Sequence, residues 1–362
     1  MRYPGFLKKN GTIGYVAPAF GCADEVRKKC LDHAREVFRQ MGYGEKLGPN
    51  CYLAEGIGIS STPESCAAEL EEGYLDPESQ ILLSCGGGEL MCETVSLVDF
   101  EKIKRAEPKW FMGYSDNTNF TLLLATICDT ASVYGPCAKA FGMEPWHRSV
   151  TDAYQILTGE IKTVEGYDRW EKEDPPEGSD HPLAPYYLTE DKVLKIWLPE
   201  NDTNETMKNG LWIPDARKTE REISISGRLL GGCMDCLATI LGTRLDKVKE
   251  FADKYEEDGI LWFLEACDLN VFSIRRAMWQ MEEAGWFRNV TGFLIGRPLC
   301  YGQEMMGLDA YEAVLAVARR HKVPVIMDAD LGHLPPAMPI VCGSIGTIEV
   351  KGNHIQIQYE YR

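Results

Sequence analysis

Nowhere in the sequence does an apolar run approach the ~18 residues that a membrane-spanning helix needs, so no membrane segment is expected. Positive charge is also scarce: 38 Lys and Arg stand against 55 Asp and Glu, a formal net charge of -17. A nucleic-acid polymer is bound by clustered basic residues that displace counterions, and this balance disfavours that class of partner. Small molecules or peptides are the expected ligands. No repeat period, low-complexity tract or heptad array is present, which excludes solenoids and coiled coils.

Other absences concern motifs. The glycine turn Gly86–Gly88 is not followed by Gly-Lys-Ser/Thr, and GGGELM lacks the GxGxxG spacing, so neither a P-loop nor a dinucleotide site is expected. GYSDN fails the GxSxG elbow of common α/β-hydrolases because Asn117 stands where the second glycine belongs. The 13 cysteines have no regular spacing. Cys233 and Cys236 form one CxxC without the second pair or histidines a zinc site wants, so they read as core residues at the start of a helix. The amino terminus, broken by Pro4, Lys8, Lys9 and Asn10, does not read as a secretory signal. A cytoplasmic protein with reduced thiols and no cofactor is expected.

What is present is a regular alternation. At ~100–200 residues per domain, 362 residues suggest two domains. The first ~150 alternate short apolar runs with helical patterns, which predicts an α/β fold: a flavodoxin- or Rossmann-like parallel sheet with helices on both faces. TIGYVAP, ILLSC, KWFMG and ASVYG read as strands; Asp24 and Thr62-Pro63 start helices, and Gly42 ends one. The predicted boundaries are 1–165 for this domain, 166–221 for a proline- and acid-rich connector and possible lid, and 222–362 for a second domain. That domain includes the strands ILWFLE, GFLIGR and VPVIMDAD and a terminal hairpin about Gly352-Asn353. Connector aromatics, Trp197 and Trp212 among them, could cover a ligand or pack the connector onto either domain.

Ligands of open parallel sheets collect outside the carboxyl ends of the strands. Three lone polar residues follow apolar runs there: Ser115, Glu265 and His333. A serine hydroxyl becomes a nucleophile when an imidazole accepts its proton, and the imidazole needs a carboxylate to fix its tautomer. Backbone amides of Asp116 and of Gly86 or Gly87 could meet the oxyanion of an acyl transfer. Each residue also has a structural reading: helix cap for the serine, satisfied polar group for the histidine, ion pair for the glutamate.

Taken in order, KNGTIGYVAPA, LLSCGGGE, PKWFMGYSDNTN, VYGP, GRLLGGCMDCLATILGT, ILWFLEACD and LGHLPP resemble the LD-carboxypeptidase family of serine peptidases, including its microcin-immunity branch, over nearly the whole chain. The resemblance implies a triad of Ser115, His333 and Glu265, oxyanion donors at Asp116 and the glycine turn, no metal, a smaller C-terminal α/β domain, and a homodimer. It implies cleavage of an amide bond in a muropeptide-type L,D-peptide or in an aminoacyl or peptidyl nucleotide. Ala19, Cys66 and Cys233 stand where family members often carry serine, arginine and asparagine. A binding module of the same fold without turnover, and an esterase of separate lineage, are the alternative readings.

Overall fold

The computed structural model describes residues 1–172, 181–199 and 210–362. The rest of the expected lid, 173–180 and 200–209, lies outside the described residues. The chain divides into two compact units. One comprises 1–162, the described part of 173–187, and 338–343; the other comprises 163–172, the described part of 188–337, and 344–362.

The first unit is built on a six-stranded sheet. Its five parallel strands run in the spatial order Gly44–Leu47, Thr12–Val16, Ile81–Ser84, Trp110–Gly113 and Ser132–Tyr134. In chain order this is 2-1-3-4-5, the flavodoxin-like winding, whose switch point falls between the first and third strands. The sixth strand, Ile340–Cys342, comes from far along the chain and pairs antiparallel with Ser132–Tyr134. Every residue of Ile81–Ser84 and Trp110–Gly113 is buried, as central parallel strands covered on both faces require.

Local signals explain the flanking helices. Asp24 caps Glu25–Gln40 by accepting from the Arg27 amide, and Leu31, Ala34 and Phe38 form its buried stripe. Thr62 caps Pro63–Leu75 with Pro63 in its first turn. That helix sends Glu69 inward, where its carboxylate accepts from the amides of Ala17 and Asn50, both at 2.9 Å. Burial pushes the Glu69 carboxyl up while those amides pull it back. The carboxyl end of the first strand is thereby fixed.

The second unit carries a nine-stranded mixed sheet. Its centre is parallel: Glu222–Cys233, Ile260–Glu265, Val290–Gly296 and Val325–Ala329. Antiparallel strands flank it, with Ile345–Lys351, His354–Glu360 and Thr163–Glu165 on one side and Lys195–Leu198 and Leu211–Ile213 on the other. Two of these strands, Lys195–Leu198 and Leu211–Ile213, lie in the segment read as a connector, so part of 166–221 is woven into this sheet. Ile260–Glu265 is buried throughout, and Phe263 and Leu264 each contribute roughly 1.5–3 kcal/mol by burial.

Candidate active site

In the first unit, the strand Trp110–Gly113 delivers Ser115 at its carboxyl end, where a short 3-10 turn, Ser115–Asn117, leads into the helix Thr118–Thr126. Ser115 sits at φ 59°, a left-handed conformation that a non-glycine residue seldom adopts. Its amide donates to the Tyr134 hydroxyl at 3.0 Å, and its carbonyl accepts from the Thr118 hydroxyl at 2.6 Å. The next two side chains are buried and serve the backbone. Asp116 accepts from the Met91 amide at 2.8 Å and from Asn119 Nδ2 at 2.9 Å. Asn117 Nδ2 donates to the carbonyls of Gly86, at 2.8 Å, and Tyr114, at 3.0 Å.

Asn117 therefore ties the glycine turn to the serine turn. The Gly87 carbonyl accepts from the Phe20 amide at 2.6 Å, which fixes the turn to the segment after the first strand. A Cβ at Gly87 would lie 3.3 Å from both Ser115 Cβ and Oγ, so glycine is what allows this approach. Ser115, Asp116, Gly86 and Gly87 are thus brought together within one unit.

In the second unit, Glu265 ends its strand and is 1% exposed. Its Oε2 lies 2.8 Å from His333 Nδ1. Gly332, at φ 103°, makes the turn before the histidine possible, and a Cβ there would meet Glu265 Oε2 at 2.8 Å. Burial works against charge on His333, but the Glu265 carboxylate and the Cys267 thiol outweigh it, and the imidazole is pushed up to about 10.

The loop carrying His333 is anchored by buried charge. Asp330 is fully buried, accepts from Arg297 Nη2 at 2.8 Å and from the Tyr167 amide at 2.7 Å, and lies 3.6 Å from Lys192 Nζ. Arg297 also donates to the Asp328 carbonyl at 2.8 Å and lies 5.0 Å from the Trp170 ring. Asp328, at φ 59°, accepts from Lys195 Nζ at 2.6 Å and Tyr311 Oη at 2.9 Å. A cavity of about 230 Å³ lies beside these groups, bordered by Glu265, Met234, Ile274, Tyr301, Tyr311 and Asp328.

Trp197 is 6% exposed and pairs across the sheet with Trp212, whose ring lies 6.0 Å from Tyr311. Sequence reasoning missed Asn117 as a connector of two turns, reading it only as a missing glycine, and missed the Arg297–Asp330 pair. For Asn117 the signal was available, an amide two residues after the serine. Asp330, three residues before His333, carried none without its partners. Among the described residues, no group of three or more His, Cys, Asp or Glu could hold a metal ion, and no described helix is long and apolar enough to cross a membrane.

One unit with a flavodoxin-like sheet and a strand-end serine, and one with a mixed sheet and a Glu-His pair, define a two-part α/β protein. Residues 13–135 match the LD-carboxypeptidase N-terminal domain and residues 226–348 the LD-carboxypeptidase C-terminal domain. The chain belongs to the LD-carboxypeptidase family, a family of peptidases. It is 22% identical to the Vibrio cholerae protein named "Putative carboxypeptidase", over 99% of this chain and 98% of that one. Among solved structures, the MccF-like protein from Bacillus anthracis matches with a TM-score of 0.77 and 21% identity, covering 99% of this chain and 100% of that one. The microcin C7 self-immunity protein MccF, solved in complex with aspartyl sulfamoyl adenosine, matches with a TM-score of 0.76 and 18% identity, covering 100% of this chain and 99% of that one.

Proposed function

We propose that this chain is a serine peptidase or amidase in which Ser115 is the nucleophile, His333 the general base and Glu265 the carboxylate that orients the imidazole. His333 Nε2 takes the Ser115 proton as Oγ attacks the substrate carbonyl. The bond Glu265 makes to Nδ1 fixes the tautomer and steadies the imidazolium. Amides of Asp116 and Gly87 or Gly86 meet the oxyanion. The leaving amine departs with the proton from His333, and water then releases the acyl group.

The observation that carries this reading is Ser115 at φ 59°, held at a strand's carboxyl end against a glycine turn. Strain of this kind persists where the surrounding structure enforces it, commonly at functional sites. The substrate classes are an L,D-peptide, from the family, and an aminoacyl nucleotide, from the ligand bound to the MccF relative. A homodimer in the cytoplasm completes the proposal, and light scattering checks the assembly.

Parallel assays with an L,D-tetrapeptide and aspartyl sulfamoyl adenosine test the reaction. Ser115→Ala should lose on the order of 10⁴-fold or more in kcat, and an unchanged rate rejects the assignment. The elevated His333 favours a second reading, a binding module silent at neutral pH, because a protonated imidazole accepts no proton. Ligand binding by calorimetry without labelling by a fluorophosphonate, up to pH 10, would establish it. An esterase would instead prefer simple acyl esters over both amides.

A further inference from the structure

The CxxC pair has no role in the mechanism above, yet the residue inside it, Asp235, touches the strand end that bears Glu265. Asp235 is the second residue of the helix Met234–Ile240. Its Oδ2 accepts from the Cys267 amide at 3.0 Å and from the Cys233 thiol at 3.2 Å, and its Oδ1 accepts from the Asp268 amide at 2.9 Å. None of these donors belongs to the helix, so the carboxylate is not spent on its own first turn. Cys233 is the register partner of Glu265 in the parallel ladder. One carboxylate thus binds the end of one strand to the residues that follow Glu265 on the next.

We infer that Asp235 is a positioning residue, which holds the chain after Glu265 so that this carboxylate meets His333 in a single geometry. The inference rests on the proposed triad. Two amides and a thiol converging on one side chain require acceptors on both of its oxygens. Asparagine would present an NH₂ to one of those donors, and alanine would leave all three without this partner. The Cys267 amide is one of the tethered groups, so the clamp also fixes the thiol that faces His333. Cys236, Asp268 and Cys300 are further titratable neighbours of this turn.

Asp235→Asn and Asp235→Ala, compared with wild type on whichever substrate is cleaved, test the role. Both should lower kcat by on the order of 10²-fold with KM little changed, the cost of a catalytic group displaced by about 1 Å. The acid limb of the pH profile should move, and iodoacetamide should alkylate Cys267 faster, as read by mass spectrometry. Lowered thermal stability with wild-type kcat, pH profile and alkylation rate would overturn the inference and leave Asp235 a structural residue. If Asp235→Ala does not fold, Asp235→Asn carries the same measurements. Loss of the triad reading itself would show as retained turnover in Ser115→Ala, while Cys267 alkylation still scores the clamp.

Discussion

The two units assemble their chemistry from different materials. Around Ser115 the work is done by backbone: a left-handed serine, a glycine turn, and two buried polar side chains, Asp116 and Asn117, that are occupied with amides and carbonyls. Around His333 it is done by charge: Glu265 on the imidazole, and Arg297, Asp330, Lys192, Asp328 and Lys195 beneath its loop. Backbone dipoles can stabilise charge that appears transiently on a substrate, whereas buried ion pairs hold a permanently ionised group in a chosen protonation state. Under the proposed mechanism, oxyanion stabilisation falls to one unit and proton handling to the other.

After loss of the serine itself, the largest effect should come from neutralising the carboxylate. Glu265→Gln is expected to lower kcat by on the order of 10³-fold or more, and to move the alkaline rise of activity to lower pH. Only neutral imidazole accepts the serine proton, so with His333 pushed up to about 10 wild-type turnover should climb with pH through the neutral and alkaline range. The same shift raises the folded-state value above that of the unfolded chain. Its contribution to stability is therefore complete below the ordinary histidine value of about 6.5 and is lost as pH rises through about 10. Urea unfolding at several pH values would show the decline.

Next in size, Arg297→Met leaves Asp330 with a weaker partner and should destabilise by about 3 kcal/mol, measured by urea denaturation. Asn117→Ala orphans the buried Gly86 carbonyl from one of its donors, at a cost of about 1–3 kcal/mol, with kcat reduced because the two turns separate. Gly87→Ala should slow turnover, because its new methyl would press on Ser115 at 3.3 Å. If Gly87→Ala instead raised activity, or if Arg297→Met were silent, the division between backbone and charge would fail.

Much of this was legible beforehand. Continuous apolar runs such as WFMG and ILWFLE announced buried parallel strands, and a lone polar residue at each carboxyl end announced Ser115 and Glu265. GH in LGHLPP pointed to His333, and its glycine proves to be required by Glu265. What escaped was everything set by distant pairing. Short strands such as Lys195–Leu198 and Leu211–Ile213 flank a proline- and acid-rich stretch whose composition speaks of loop, and their partners declare them only in three dimensions. Buried Arg297 and Asp330 look like surface residues in sequence, since nothing in one charge's position names the opposite charge that neutralises it.

The strand Ile340–Cys342 has a practical consequence for dissecting this protein. It is drawn from the stretch just after His333, yet it completes the sheet edge beside Ser132–Tyr134. A fragment ending near residue 165 would display that edge bare, with open ladder groups ready to recruit another chain. Such a truncated piece should aggregate, and supplying residues 338–343 through a short linker should rescue it.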